Sequence, residues 1–402
     1  MYQDIRKSHK SLIVRTLVEI KGINKWRKDF IVEILILFVS IKGRINFSQL
    51  GRYGNYGEQR YRQQFEKDFN FLKFNKQLIS KHGSGQFAIA FDPSFISKSG
   101  KKTYGLGKYW SGCAQETKKG LEIGGLATID IYNNTAFHLE AVQTPDKHFR
   151  DNQSYNLIDW YTKLITDRAD ELLLISRYVV ADAYFSKEKF VREICDVSMH
   201  TISKLRKDAD LRYLYKGEPT GKQGAPGKYD GKIIFKELNF DYFDIIEKND
   251  EYTLLCAEVN SKALKRNIKL VIKILPNGKH HLYFSTHINQ DGKLIYDIYR
   301  KRFHIEFIYR DGKQHTGLEN CQARDENKLN FHFNASLTSI NLAKITHWLS
   351  IDKEQRKAFS MADVKTLNHN ILLLDKFIDV FAINPNSTIN QKRVKERKLN
   401  NL

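Results

Sequence analysis

The sequence predicts an α/β core with helical segments before and after it. Three observations carry that expectation. Between residues 87 and 205, short apolar runs of strand length alternate with longer amphipathic stretches. The first 82 residues and those after 350 hold apolar stretches of helical length. Between 205 and 290, strand-like runs and turn residues dominate. With 402 residues, 41% hydrophobic and 28% charged, the chain has the make-up of a folded protein with room for two or three cores.

Residues 1–82 read as helical, with apolar-rich stretches at Leu12–Glu19 and Phe30–Ile41 and shorter pieces at Ser48–Arg52, Glu58–Lys67 and Phe69–Lys81. Gly51, Gly54 and Gly57 punctuate them. The strand FAIAF (Phe87–Phe91) follows, expected to stop at Asp92-Pro93. Leu121–Tyr132 and Ala136–Gln143 read as strands joined by a turn at Asn133-Asn134. Asn152–Ile175 reads as a helix, Tyr178–Ala181 as a buried strand, Lys187–Val197 as a helix and His200–Leu205 as a strand. The order β-β-β-α-β-α-β joins an antiparallel meander to a helical crossover, which suits an RNase-H-like layer. The segment 216–232, with five Gly, two Pro and four Lys, reads as a surface loop. Strand-like runs follow at Lys232–Phe235, Tyr252–Glu258, Ile268–Ile274 and His281–Thr286, with a hairpin turn at Pro276-Asn277-Gly278. From Asp291 the pattern is helical again and ends in a basic run: Lys392, Arg393, Lys395, Arg397 and Lys398.

Charge narrows the function. Lys plus Arg number 66 against 46 Asp plus Glu, a net +20. Such a surplus repels itself unless a polyanion is the partner, and nucleic acid is the first candidate. Residues 1–82 hold 17 basic and 7 acidic residues, half of the surplus. Short helices at glycine turns bearing Arg52, Arg60 and Arg62 suit a helix-turn-helix-like DNA-binding module; the alternative is a helical bundle with a solvated basic face. A membrane partner is disfavoured: the most apolar run, Ile31–Ile41, is too short to span a bilayer and contains Glu33. The N-terminal MYQDIRKSHK has no apolar signal core, and four scattered cysteines form no C-x-x-C pair, so a reducing cytoplasm is expected.

Asp92 and Asp182 each follow an apolar strand, FAIAF and YVVA. Two carboxylates fixed on neighbouring strands can share a hard cation such as Mg²⁺ or Mn²⁺. In IYRKRFHIEFIYRDGK, Tyr299, Arg302, Glu306 and Lys313 stand at offsets 0, 3, 7 and 14. At about 100° per residue they fall within about 60° of one another on a continuous helix. A phenol, a guanidinium, a carboxylate and an ammonium on one stripe, beside two aspartates, suit a phosphodiester. Gly312 marks a place where that helix could end early.

Tyr299-x2-Arg302-x3-Glu306-x6-Lys313 resembles the Y-R-E-K signature of the IS-four family of insertion-sequence DDE transposases. FDPSF around Asp92, ADAYF around Asp182 and ISKLRKDADLRYLY after it also look like that family. The resemblance implies an RNase-H-like catalytic core interrupted by a β-rich insertion, with an N-terminal helical domain and a helical C-terminal tail. The corresponding segments are 1–82 (helical, DNA-binding), 83–205 and 291–350 (the two parts of the core), 206–290 (the insertion) and 351–402 (the basic tail). It implies that Asp92, Asp182 and Glu306 are catalytic and hold two Mg²⁺ ions, with Mn²⁺ able to substitute. Tyr299, Arg302 and Lys313 would contact phosphates. The implied partners are double-stranded DNA (terminal inverted repeats and target) and a second copy of the chain in a synaptic complex. The implied location is a prokaryotic cytoplasm, at the nucleoid. Some relatives stack a tryptophan of the insertion on a base; no Trp lies in 205–290 here, leaving Tyr213, Tyr215 and Phe243 as candidates. Another RNase-H-like nuclease and a non-catalytic DNA-binding derivative remain the alternatives.

Overall fold

The computed structural model describes residues 2–217 and 227–396. Residues 218–226 of the Gly/Lys loop, and Arg397 and Lys398 of the basic end, lie outside the described residues. Five helices open the chain: α1 (Tyr2–Val18), α2 (Lys25–Ser40), α3 (Phe47–Tyr53), α4 (Glu58–Phe65) and α5 (Phe71–His82). Asn24, Asn46 and Asn70 start α2, α3 and α5, each accepting from the backbone N–H three residues on. Strands β1 (Phe87–Ser97), β2 (Gly107–Ser111), β3 (Glu116–Asp130) and β4 (Thr135–Gln143) follow. After them come α6 (Lys147–Asn152), α7 (Leu157–Thr166), α8 (Ala169–Leu173), β5 (Tyr178–Val180), α9 (Glu188–Asp196) and β6 (His200–Leu205). Strands β7 (Leu211–Leu214), β8 (Tyr229–Lys232), β9 (Asp244–Lys248), β10 (Thr253–Ser261), β11 (Arg266–Ile274) and β12 (His280–Ser285) come next. The chain closes with α10 (Gly292–Lys301), α11 (His304–His315), α12 (Glu326–His347), α13 (Met361–Val380) and α14 (Thr388–Glu396).

One mixed sheet organises these elements. Its first part runs β4-β3-β1-β5-β6, antiparallel among β4, β3 and β1 and parallel among β1, β5 and β6. β12 then pairs antiparallel with β6, and β11, β10, β7 and β8 continue outward. The strands of 206–290 therefore prolong this sheet and do not close into one of their own. The Pro276–Gly278 hairpin turn forms as the sequence predicts, with Gly278 at φ +74°.

Four sequence expectations need correction. β1 runs through Asp92-Pro93 to Ser97, because β3 pairs with it along its whole length. On its other side β5 pairs only with Ile89 and Ala90, so the proline falls where that flank is open. The single helix expected over Asn152–Ile175 is α7 and α8 instead. A turn with Ser154 at φ +56° precedes α7, which Asn156 and Asp159 start as a reciprocal capping box. The run Lys232–Phe235 is not a strand, since β8 ends at Lys232. β2, β7, β8 and β9 are short strands that the apolar pattern did not reveal, and β8 lies within the expected loop 216–232, where β7 pairs with it.

Helix α12 is buried along most of its length and joins the two halves of the chain. Phe331 packs against Phe30 of α2, Phe65 of α4 and Phe71 of α5. About 60° round the helix from Phe331, Asn334 accepts from the Ala141 N–H and donates to the Ala141 carbonyl, both at 2.8 Å. Asn341 does the same with His138, at 2.8 and 2.7 Å. The two asparagines are seven apart, two helical turns. A bulge in β4 turns both His138 and Ala141 toward the helix: Leu126 faces Glu140 but Ala127 faces His138, which leaves Leu139 unpaired.

Candidate functional site

β1 and β5 set the first two acids. Their parallel register pairs Ile89 with Val179 and Ala90 with Val180. Carried two residues further, it brings Asp92 level with Asp182, both on the same side of the sheet. Asp182 follows β5 in extended geometry, and its Oδ1 accepts the Tyr184 N–H at 2.9 Å. The Ser203 hydroxyl on β6 donates to the Asp182 carbonyl at 2.8 Å.

The third acid comes from a broken rod. The continuous stripe expected from Tyr299 to Lys313 is divided at Arg302–Phe303, where α10 gives way to α11. The break is not at Gly312. That glycine lies buried inside α11, where a Cβ would come within 2.8 Å of Leu337 on α12. Arg302 therefore sits at the joint, and Glu306 on the first turn of α11.

Arg302 is the centre of the arrangement. Its guanidinium reaches Asp92 Oδ1 at 3.5 Å and Glu306 Oε1 at 3.2 Å, and it also feels the charge of Asp182. The Arg302 and Asp92 side chains are 14% and 18% exposed, whereas Glu306 is 42% exposed. Burial lifts the Asp92 carboxyl to about 7, against the pull of Arg302 and with the push of Asp182 and Glu306. The three acids predicted from sequence are thus within electrostatic reach of one another, with a cation among them. Among the described residues no group of three or more His, Cys, Asp or Glu side chains stands close enough together, as placed, to hold a metal ion. The donor chemistry nevertheless fits a hard divalent ion: carboxylate oxygens from two strands and a helix, held near a positive charge.

Two contacts stitch α11 to β1. The Tyr309 hydroxyl donates to the Asp92 carbonyl at 2.6 Å, and Lys313 donates to the Phe95 carbonyl at 2.7 Å. Tyr309 reaches Asp92 because Gly125, the β3 partner of Asp92, has no side chain: a Cβ there would lie 1.9 Å from the phenol oxygen. Lys313 also stands 3.9 Å from Glu319. Tyr299 lies against Tyr283 at 5.0 Å between centroids, with the Arg302 guanidinium 6.0 Å from its ring.

Sequence reasoning missed Glu122. This β3 carboxylate is buried, accepts from Thr144 Oγ1 at 2.9 Å and from the Tyr161 hydroxyl, and adds to the charge felt by Asp92. Burial raises its carboxyl above the ordinary range, against the hydrogen bonds of Tyr161 and Thr144. A lone Glu in the apolar run LEIGGLATI was the available signal.

The basic candidates of the N-terminal helices divide. Arg52 and Arg60 are exposed on α3 and α4. Arg62 is tied to Glu58 at 2.5 Å and lies 4.7 Å over the Phe47 ring. Of the aromatic candidates in 206–290, Tyr213 and Phe243 are buried at 6% and 8% exposure and offer no free ring face. Tyr215 is half-buried.

No helix among the described residues is long and apolar enough to cross a membrane. No curated protein matches the chain. Residues 162–342 match the family described as the transposase DDE domain, a stretch that contains Asp182 and Glu306 and begins after Asp92, and this match supports a DDE transposase acting in transposition and DNA recombination.

Proposed function

We infer that this chain is an insertion-sequence transposase of the Y-R-E-K group, with Asp92, Asp182 and Glu306 as its catalytic acids. The observation that carries the reading is that Arg302 pairs with Asp92 of β1 and Glu306 of α11 and also feels the charge of Asp182 at the end of β5. The strand order β4-β3-β1-β5-β6, three antiparallel and then parallel, supports an RNase-H-like core.

Asp92, Asp182 and Glu306 would hold Mg²⁺, two ions in this reading, with Mn²⁺ able to replace it. Bound there, a divalent ion supplies Lewis acidity toward the oxygens of the scissile phosphate. The chain's own residues do the rest. Arg302 carries a planar fork that suits a phosphate as well as a carboxylate. Arriving DNA can therefore draw Arg302 from Asp92 and Glu306 and free their oxygens. Tyr309 and Lys313 keep α11 against β1 meanwhile, so Glu306 does not drift from Asp92. Water cuts one strand to leave a 3′-OH and a 5′-phosphate, and that 3′-OH then attacks a phosphodiester of target DNA, displacing a 3′ oxygen. Arg52 and Arg60 extend the basic surface for the element's ends. A synaptic homodimer belongs to the reading, and the exposed Leu373, Leu374, Phe377 and Val380 of α13 support it.

The test is nicking and joining of duplex DNA carrying the inverted repeats that flank the coding region, with Mg²⁺ or with EDTA. Asp92→Asn, Asp182→Asn and Glu306→Gln are expected to lose nicking and keep binding. Arg302→Ala is expected to bind end DNA more weakly, with a salt slope shallower by about one phosphate contact. Full nicking by Asp92→Asn would sink the assignment. Nicking without joining of a 3′ end to new DNA would favour a simple nuclease.

A further inference from the structure

Beside Asp182 lies a cavity of about 730 Å³ that the chemistry above does not use. Its wall comes from α6, the turn before α7, and the segment just after Asp182. Lys147, Arg150, Tyr155, Tyr184, Lys187 and Lys189 line it. Tyr184 is 47% exposed, and its backbone N–H is held by Asp182. Phe185 backs that ring edge-on at 5.3 Å, and the Lys187 ammonium stands 4.3 Å from its centroid. Arg150 is 9% exposed, and Nε donates to the Pro145 carbonyl at 3.2 Å. Its terminal nitrogens make no hydrogen bond or ion pair among the described residues. Asp151 and Asp159 also line the cavity, but Asp159 is already paired with Lys189 at 2.6 Å.

An open cavity with several cations and one supported aromatic face has the two parts that hold an unpaired nucleic-acid strand. Cations follow the phosphates, and a ring stacks on a base of any identity. A duplex could use the cations, but it would leave the ring without a partner, since its bases are already stacked. Arg150 lines this cavity while nine-tenths buried, and its charge is also felt by the buried Glu122, so it is a fixed positive position in the wall and not a chance surface charge.

We propose that this cavity binds a single-stranded stretch of DNA next to the acids, with a base on Tyr184 and the adjoining phosphates on Lys147, Arg150 and Lys187. The proposal rests on the transposase reading for its biological setting, but binding alone tests it. The probe is a fluorescent oligothymidylate titrated against the full chain in EDTA at several salt concentrations, read by anisotropy. Tyr184→Ala is expected to raise Kd about fivefold or more, while Tyr184→Phe, which keeps the ring, stays near wild type. Lys187→Ala is expected to lower the salt slope by about 0.7. Tyr184 and Lys187 are exposed, so these variants keep the fold. Equal affinity of wild type and Tyr184→Ala would overturn the proposal, whatever the nicking assay gives. A Tyr184-dependent affinity in a chain that never nicks end DNA would uphold the cavity and count against the enzyme reading instead.

Discussion

Two regions of this molecule bury charge, and they do so in opposite ways. At the sheet, Asp92 and Glu306 share the guanidinium of Arg302, which also feels the charge of Asp182, and Glu122 adds a further negative charge nearby. Among the helices, Lys344 and Lys365 lie buried with no carboxylate in contact among the described residues, although Lys344 feels the charge of Asp311. Lys344 donates to Thr135 Oγ1 at 3.1 Å and to the Ala136 carbonyl at 2.6 Å. Lys365 donates to the Phe38 carbonyl on the last turn of α2, and His369, one turn along α13, contacts the Ser40 carbonyl at 3.2 Å. Carbonyls at the end of a helix are natural partners for cations. The lysines thus close backbone groups and hold elements together. The acids leave negative charge uncompensated at an accessible place. Burial of the first kind serves the fold; the second is a cost to the fold, which a divalent ion would offset under the function proposed above.

That contrast can be broken by substitution. The largest effect is expected from Asp92→Asn, which should lower nicking by on the order of 10³-fold or more. It should leave the melting temperature unchanged or raised, because one of several like charges is gone. A clear loss of thermal stability would place Asp92 with the structural charges. Gly125→Ala comes next. The added methyl meets the Tyr309 hydroxyl, and overpacking of this kind costs about 1–3 kcal/mol. It should also reduce nicking, since Tyr309 holds the Asp92 backbone. Calorimetry on the double variant with Tyr309→Phe should recover part of the stability, a coupling that two independent sites would not show. Activity should stay low in that variant.

The smallest effect concerns pH. Burial moves the Lys365 ammonium down to about 7 and Lys344 down to about 8. The unfolded chain keeps both protonated up to the ordinary lysine range, so above those values it binds more protons than the folded chain. Stability should therefore rise with pH from about 7 to about 10. Lys365→Met should remove about 1.4 kcal/mol per pH unit from that slope, read from denaturant midpoints across the window. An unchanged slope would mean that Lys365 stays charged in the fold.

The neighbouring positions of Asp92 and Asp182 on the sheet were legible in the sequence for a physical reason, whereas Glu306, on a helix, was reached only through its spacing from Tyr299 and Arg302. Four or five apolar residues that end in a carboxylate leave few places for that carboxylate except the end or flank of a buried strand. The meander from β1 to β4 was legible for a similar reason, since Asn134 can take the positive φ of +52° its turn requires. The break at Arg302–Phe303 left no mark, because both residues keep helical backbone angles and the apolar periodicity runs on across them. The position of Arg302 among three acids depends on that break and on the partner strands, which no local pattern encodes. Glu122 was hidden because one polar residue in an apolar strand can equally point outward. β2 and β9 were hidden because much of their length is exposed, so burial never shaped their composition.

The asparagine pairs of α12 carry a further consequence. β4 is bonded to β3 on one side, and its other rim would be free to accept a foreign strand. Exposed rims of this kind are where protein chains begin to aggregate. Asn334 and Asn341 fill the donor and acceptor positions that such a strand would use, so this border of the sheet is sealed from within the chain. Substituting both with leucine would be felt first as clumping during refolding, before any defect showed in the folded molecule.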